Sequence, residues 1–141
     1  MREYAGSCAG RILDQHFAEV YPVMQAWSQH KSENVRRAVV IAAMEAAKKW
    51  LRKHTRSQNE FERWNVAMVW SAVGGRKYAE QGMEFLTDLA ADERRFVWRA
   101  VASATVKLGK ARPEVVKPVL GQWRADPVRR QVAEVASQYL G

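Results

Sequence analysis

Arginine recurs near the starts of several predicted helices, at positions that a repeating helical fold would align on one face. The recurring residues are Arg36, Arg37, Arg99, Arg129 and Arg130. A guanidinium group binds phosphate oxygens well, so such a stripe would suit a phosphate backbone. A structural role is the alternative, in which each arginine bonds a turn carboxylate of the neighbouring repeat. The candidate carboxylates for that role are Glu33, Asp92 and Asp126.

A second group of basic residues surrounds Trp50 near the end of one long predicted helix. Its members are Lys48, Lys49, Arg52, Lys53 and Arg56. These side chains could grip phosphates. They could equally form a solvated last turn that the helix dipole favours, since cations are stabilised at the C-terminal end of a helix.

The six tryptophans could be taken for a base-stacking surface, but core packing is the ordinary use of a large aromatic ring. Trp27 and Trp123 occupy equivalent positions at helix ends and are predicted to be buried. Trp98, between Val97 and Arg99, is the best candidate for contact with a partner. The full set of residues predicted to contact nucleic acid is Arg36, Arg37, Lys53, Arg95, Arg99, Arg129, Arg130 and Trp98.

Catalytic and metal-binding patterns are missing from the sequence. His16, His30 and His54 are isolated, and no Cys-His spacing accompanies them, so no metal site is predicted. Gly74-Gly75 is interpreted as a break between helices, since no phosphate-binding glycine pattern surrounds it. We therefore predict no catalytic residue and no cofactor.

Composition places the chain among globular proteins. Its 141 residues, 48% hydrophobic and 27% charged, predict a single domain over 1–141. The longest apolar run, Ala38 to Met44, is far too short to span a bilayer, and the first residues have no apolar segment. The single cysteine, Cys8, is predicted to be buried or half-buried. One cysteine cannot form an internal disulfide, and together with the lack of a long apolar segment it favours a cytoplasmic location without membrane contact. The net charge of +8 favours a polyanionic partner.

The local patterns predict helices throughout, because strand-forming residues are few and apolar residues recur at helical spacing. We predict eight helices joined by short connections, so that neighbours pack antiparallel. Their approximate ranges are Ala5–Glu19, Pro22–Gln29, Ser32–Lys53, Glu60–Val73, Arg76–Ala90, Asp92–Gly109, Pro113–Trp123 and Asp126–Leu140. In this scheme Ser32 and Asp92 cap helices, Pro22 and Pro127 stand in first turns, and Gly109 ends the sixth helix.

An internal repeat links these helices. An apolar helix end, a polar turn and a Val-x-Arg helix start recur at Val35, Val97 and Val128, separated by 62 and 31 residues. Val66 falls where a strict 31-residue period would place a fourth copy, although the arginine is missing there. Two helices per period predict an α-α superhelix, a HEAT-like solenoid of about four units.

The repeat sequences resemble a known family. The segments WSQHKSENVRRA (27–38) and DERRFVWRA (92–100), the latter followed by GKARPEVV (109–116), are similar to the HEAT-like repeats of bacterial DNA alkylation repair proteins. These are the AlkC/AlkD-type alkylpurine DNA glycosylases. The resemblance begins near residue 10 and spans most of the chain. It implies a curved solenoid whose concave basic face holds duplex DNA, with a phosphate-contacting arginine at Arg37.

The resemblance also bears on catalysis. The family's catalytic aspartate would fall among the first few residues, where this chain offers only Glu3 and Tyr4, and a family tryptophan falls near Ser103. The expected function is therefore binding of duplex DNA without catalysis. A scaffold whose basic face meets an acidic protein partner is the alternative, and a surviving glycosylase is a third hypothesis. Apolar terminal faces would also permit a homodimer.

Overall fold

The computed structural model describes residues 2–13, 15–73 and 77–141, and within these ranges it contains eight helices and no strand. The predicted all-α class is confirmed. The helices are α1 (Arg2–Ile12), α2 (Phe17–Ser28), α3 (Glu33–Thr55), α4 (Glu60–Val73), α5 (Ala79–Leu89), α6 (Arg95–Ala111), α7 (Pro113–Ala125) and α8 (Arg130–Leu140). Over the same ranges, no helix combines the length and the apolar character that a membrane crossing requires. The predicted break at Gly74-Gly75 and the predicted helix start at Arg76 fall outside the described residues.

The chain forms two compact units, Met1–Lys53 and His54–Gly141. The first unit holds α1, α2 and nearly all of α3. The second unit holds α4 to α8, and these helices carry most of the buried apolar side chains.

The boundary between the first two helices differs from the prediction. A first helix reaching Glu19 and a second starting at Pro22 were expected, but α1 ends at Ile12 and α2 begins at Phe17. The rings of Phe17 and Tyr21 stack one turn apart with centroids 4.9 Å from each other, which stabilises a turn ahead of the proline. Pro22 therefore lies inside α2, where its missing N–H removes one helical hydrogen bond.

Close packing of α1 on α3 in the first unit depends on two glycines spaced one turn apart. Gly6 and Gly10 are buried, and a Cβ on Gly6 would lie 2.6 Å from the carbonyl oxygen of Ala38. Cys8 was predicted to be buried or half-buried, and this is wrong, because its side chain is exposed. Cys8 is two positions from each glycine, which is a rotation of about 200° around the helix axis and places it on the opposite side.

The second unit is built from two rows of helices. In one row α4 packs on α6 and α6 on α8, and in the other α5 packs on α7. Each row buries one stripe of side chains against the other, as amphipathic helices do. The fully buried apolar residues of this core include Val66, Leu86, Leu89, Val97, Val101, Leu108, Val116 and Trp123 at 2% exposure or less.

The turns that lead into α4, α6 and α8 share one hydrogen bond. In each, a side-chain oxygen accepts the main-chain N–H of the residue two positions later, as in an Asx turn. The pairs are Asn59–Phe61, Asp92–Arg94 and Asp126–Val128, at 2.9, 2.9 and 3.0 Å. Because the turns occupy several residues, α6 begins at Arg95 and α8 at Arg130, three to four residues after the predicted starts at Asp92 and Asp126.

Gly109 was predicted to end the sixth helix, and this is wrong. Helix α6 continues to Ala111, and Gly109 is buried within it. A Cβ at this position would lie 2.7 Å from Cδ1 of Leu140. The glycine therefore serves the close approach of α8 to α6 rather than the termination of a helix.

The repeat valines do not share one environment. Val66 and Val97 are fully buried, as equivalent core positions should be. Val128 is 62% exposed and lies in the turn before α8, where Val132 takes the buried position one turn later. Because α8 begins later than predicted, Val132 and not Val128 occupies the buried position of this helix. The 31-residue spacing of the valines therefore does not identify structurally equivalent residues in α8.

The Asp126 turn predicts a pH dependence of stability. The N–H of Val128 and the guanidinium of Arg129 bond the carboxylate and lower the pKa of Asp126 below its ordinary value of 3.8. The unfolded chain then binds the proton more readily, so the stabilisation is present above that value and is lost as the pH falls through the lowered pKa. We expect the free energy of unfolding, measured by urea denaturation between about pH 2 and 7, to fall more steeply in acid for the wild type than for Asp126→Asn. Parallel curves would contradict this.

Candidate nucleic-acid interface

Helix α6 separates its apolar and basic residues by helical spacing. Val97, Val101, Thr105 and Leu108 are buried and face the core. The opposite side is exposed and basic. Its residues are Arg95, Arg99, Ser103, Lys107 and Lys110, which we call the α6 face. The 17 residues of the helix include no aspartate or glutamate, so no carboxylate of α6 itself offsets the four cations.

A shallow groove at the start of α6 brings the two predicted arginines of this helix together. Arg95, Phe96 and Arg99 line it, together with Arg94 and Glu60. The Nε of Arg94 lies 2.9 Å from a carboxylate oxygen of Glu60, so this arginine is neutralised. Among the described residues, neither Arg95 nor Arg99 has a carboxylate within ion-pair distance. Both guanidinium groups are therefore exposed and available to an external anion.

A second groove continues along the same face toward α8. Arg99, Ser103, Lys107 and Lys110 line one side, and the other side includes Val135 and Tyr139. Because Arg99 lines both grooves, they form one continuous surface. Each is open and of the order of several hundred Å³ in volume. The surface offers cations bordered by aromatic and apolar side chains.

Charge is divided between the two rows of the second unit. Helix α5, in the other row, contains Glu80, Glu84 and Asp88 and no basic residue. Glu80 lies 3.3 Å from Arg112, whose pKa is raised, first by its hydrogen bond to Glu114. Arg112, next to α5, is thus held in ion pairs, whereas the four cations of α6 are exposed. The resulting field would attract a polyanion to the α6 side.

Three of the predicted arginines bond main-chain carbonyls. Arg36 Nη1 donates to the carbonyl oxygens of His30 at 2.8 Å and Lys31 at 3.0 Å. The Nε of Arg129 donates to the carbonyl of Thr87 at 2.8 Å, and its Nη1 bonds Asp126. The Nε of Arg130 donates to the carbonyl of Arg124 at 3.1 Å. These contacts tie turns to neighbouring helices, so at least part of each guanidinium is used structurally.

The other predicted residues are placed differently. Arg37 and Lys53 are exposed, but they belong to the first unit. Trp98 is half-buried and is not among the residues that line either groove. Of the two tryptophans predicted to be core, Trp123 is 2% exposed, while Trp27 is only half-buried.

Sequence reasoning missed part of this surface. Lys107 and Lys110 continue the exposed stripe of Arg95 and Arg99, and their helical spacing opposite the buried valines is a signal that could have identified them. The aromatic rims formed by Phe61, Phe96 and Tyr139 had no comparable signal, because their juxtaposition depends on packing between helices.

Within ranges 2–13, 15–73 and 77–141, no three side chains of histidine, cysteine, aspartate or glutamate come together as a metal site would require.

The basic cluster around Trp50 makes contacts within the protein. Lys48 pairs with Glu45 at 3.4 Å and Lys49 donates to the carbonyl of Arg11 at 3.2 Å. That cluster is thus partly engaged within the protein.

No protein-family model matches the chain, and comparison with curated proteins and with solved structures finds no match either. Any function must therefore be argued from the residues and geometry of the chain itself.

Proposed function

We propose that the chain binds DNA as a duplex, without sequence preference, through the α6 face. The observation that carries this proposal is the exposed basic surface of α6, in which Arg95 and Arg99 have no carboxylate partner among the described residues. Phosphate contacts from arginine and lysine supply most of sequence-independent affinity for DNA. Catalysis forms no part of the proposal.

The packing of the second unit supports the accompanying proposal that the helices are HEAT-like units of an α-solenoid. The row α4, α6, α8 and the row α5, α7 correspond to the two layers that stacked helical pairs would form. The Asx turns at Asn59, Asp92 and Asp126 recur before each helix of the first row. A solenoid would present equivalent helix faces side by side, and a relationship to alkylation repair glycosylases remains part of this proposal.

The direct test is the affinity for a fluorescent DNA duplex, measured by anisotropy over a salt series. For the double variant Arg95→Ala/Arg99→Ala we expect the Kd to rise roughly tenfold or more at about 0.1 M salt, because two phosphate contacts are lost. The slope of log affinity against log salt should also become shallower by about 2, one unit for each arginine.

A matched control removes the same charge elsewhere. Lys117→Ala/Arg124→Ala takes two exposed cations from α7, in the other row, and should leave the Kd within about twofold if the α6 face is the binding surface. Equal losses in both double variants would show that net charge alone attracts DNA. Absence of duplex binding at low salt would overturn the proposal.

An acidic protein partner is the alternative use of the same cations. Competition distinguishes the two, because polyglutamate presents carboxylates without the regular spacing of a phosphate backbone. We expect unlabelled duplex DNA to displace the fluorescent duplex at a lower concentration than polyglutamate does, when both concentrations are expressed as moles of negative charge. If polyglutamate competes equally well, the face recognises negative charge in general, and the acidic protein partner becomes the better hypothesis.

A further inference from the structure

Two exposed phenylalanine rings meet beside the cations of the α6 face. Phe61 on α4 is 64% exposed and Phe96 on α6 is 37% exposed. Their centroids are 5.6 Å apart, with the ring planes inclined by 39°. Both rings keep much of their surface in water, although other large apolar side chains of the unit, such as Leu86 and Leu108, are fully buried. Two exposed rings that adjoin each other in this way form an apolar surface that a partner can cover.

The chemistry around the rings restricts what could cover them. Phe96 lines the same groove as Arg95 and Arg99, the two guanidinium groups without a carboxylate partner among the described residues. An apolar partner would bury these charges at high cost, since an unpaired charge is expensive to remove from water. The occupant should therefore combine a flat apolar surface with negative charge, a few ångströms apart.

The second groove repeats this combination. Tyr139 on α8 is 69% exposed and borders the groove that contains Arg99, Lys107 and Lys110. Helix α6 advances 1.5 Å per residue, so the cations from Arg95 to Lys110 extend over about 22 Å. The α6 face is thus a row of cations with aromatic rings at both of its grooves, which is the arrangement of a single-strand binding platform.

We propose that the α6 face binds an unpaired strand of nucleic acid, with a base stacked on the Phe61–Phe96 pair and the adjoining phosphates on Arg95 and Arg99. This inference rests on the proposed function: the cations that bind the phosphates of a duplex also bind those of an unpaired strand, and the rings add affinity for the unpaired strand alone. In a duplex the faces of the bases are already stacked on each other, so the exposed rings would meet only sugar and phosphate. An unpaired base offers its π-face, and stacking on aromatic side chains tolerates any base.

The test compares a single-stranded oligonucleotide of about 12 nucleotides, within the usual site size of such platforms, with the duplex of the same sequence. We expect the wild type to bind the single strand more tightly. The double variant Phe61→Leu/Phe96→Leu keeps apolar side chains but removes the rings, and should weaken single-strand binding about tenfold while changing duplex binding less than about twofold. Quenching of 2-aminopurine in the strand, a sign of base stacking, should decrease in the same variant.

The control is a similarly exposed pair in the first unit. Phe17, 56% exposed, stacks on Tyr21, and Phe17→Leu should leave both affinities and the quenching unchanged. Because Phe96 is partly packed, Phe61→Leu alone provides a variant at a more exposed position, where the fold is at less risk. Circular dichroism establishes that each variant is folded.

The outcomes separate this inference from the proposed function. If Arg95→Ala/Arg99→Ala weakens duplex binding but the leucine variants leave the single-strand preference and the quenching intact, the stacking inference is overturned and the DNA-binding proposal stands. Equal weakening of single strand and duplex by the leucine variants also overturns it. If the chain binds neither form at low salt, both proposals fail.

Discussion

Replacing Asp92 by alanine is expected to lower the free energy of unfolding by about 3 kcal/mol, since the change leaves a largely buried guanidinium without its counter-ion. The carboxylate of Asp92 lies 2.5 Å from Nε of Arg63 and 3.4 Å from its Nη2, and it also accepts the N–H of Arg94 at 2.9 Å. The two side chains are only 7% and 19% exposed. The hydrogen bond to Asp92 is the main cause that raises the pKa of Arg63, so this arginine stays charged.

Urea denaturation followed by far-UV circular dichroism measures the effect. Arg94→Ala is the control, because it removes the neighbouring ion pair with Glu60, in which the arginine side chain is 64% exposed. Exposed pairs contribute about 0 to 1 kcal/mol, so this variant should unfold almost as the wild type does. If Asp92→Ala and Arg94→Ala lower the free energy of unfolding by the same small amount, the Arg63–Asp92 ion pair does not hold α4 to the turn before α6, and the expectation is wrong.

The second large effect is expected at Gly10, where alanine should destabilise the packing of α1 on α3 by about 2 kcal/mol. The new Cβ would meet the carbonyl oxygen of Ala42 and would lie 2.7 Å from Cβ of Glu45. A main-chain oxygen cannot rotate away, so α1 would have to shift. Hydrogen–deuterium exchange of the full chain, read in peptides from residues 2–13 and 33–55, should show faster exchange in both helices.

Gly121→Ala is the matched substitution. Gly121 also lies within a helix, α7, but a Cβ there has no atom within 4 Å. Alanine should therefore stabilise the helix by about 0.5 to 1 kcal/mol through its better propensity. Unchanged exchange in α1 and α3 of the Gly10→Ala variant would show that the two helices do not require this close approach.

The number and type of the helices followed from the sequence alone. Apolar residues at a spacing of 3.6 define each helix locally, and the observed bounds of α4, Glu60–Val73, coincide with the prediction. Boundaries were less accurate where a competing local interaction decided them. The stacked rings of Phe17 and Tyr21 begin α2 earlier than Pro22 would suggest, and the Asp126 turn begins α8 later.

The α6 face was only half predictable. Arg95 and Arg99 were identified from the sequence, and the periodicity of α6 also contains Lys107 and Lys110. The pattern of residue types did not show whether an arginine is available to a ligand. Arg130 stands in the same Val-x-Arg pattern as Arg99, but its Nε donates to the carbonyl of Arg124, whereas Arg99 is exposed. The predicted stripe also included residues of both compact units.

What the sequence by itself determined is the helical periodicity of the chain, which follows from backbone geometry that each segment carries locally. Only the tertiary structure decided which residues meet across helices. Phe61 and Phe96 are 35 positions apart and become a pair because α4 packs on α6, and Gly109 is a contact site because Leu140 of α8 lies against it. Such pairings depend on how buried faces fit together over long separations, and no local pattern of residue types records that fit.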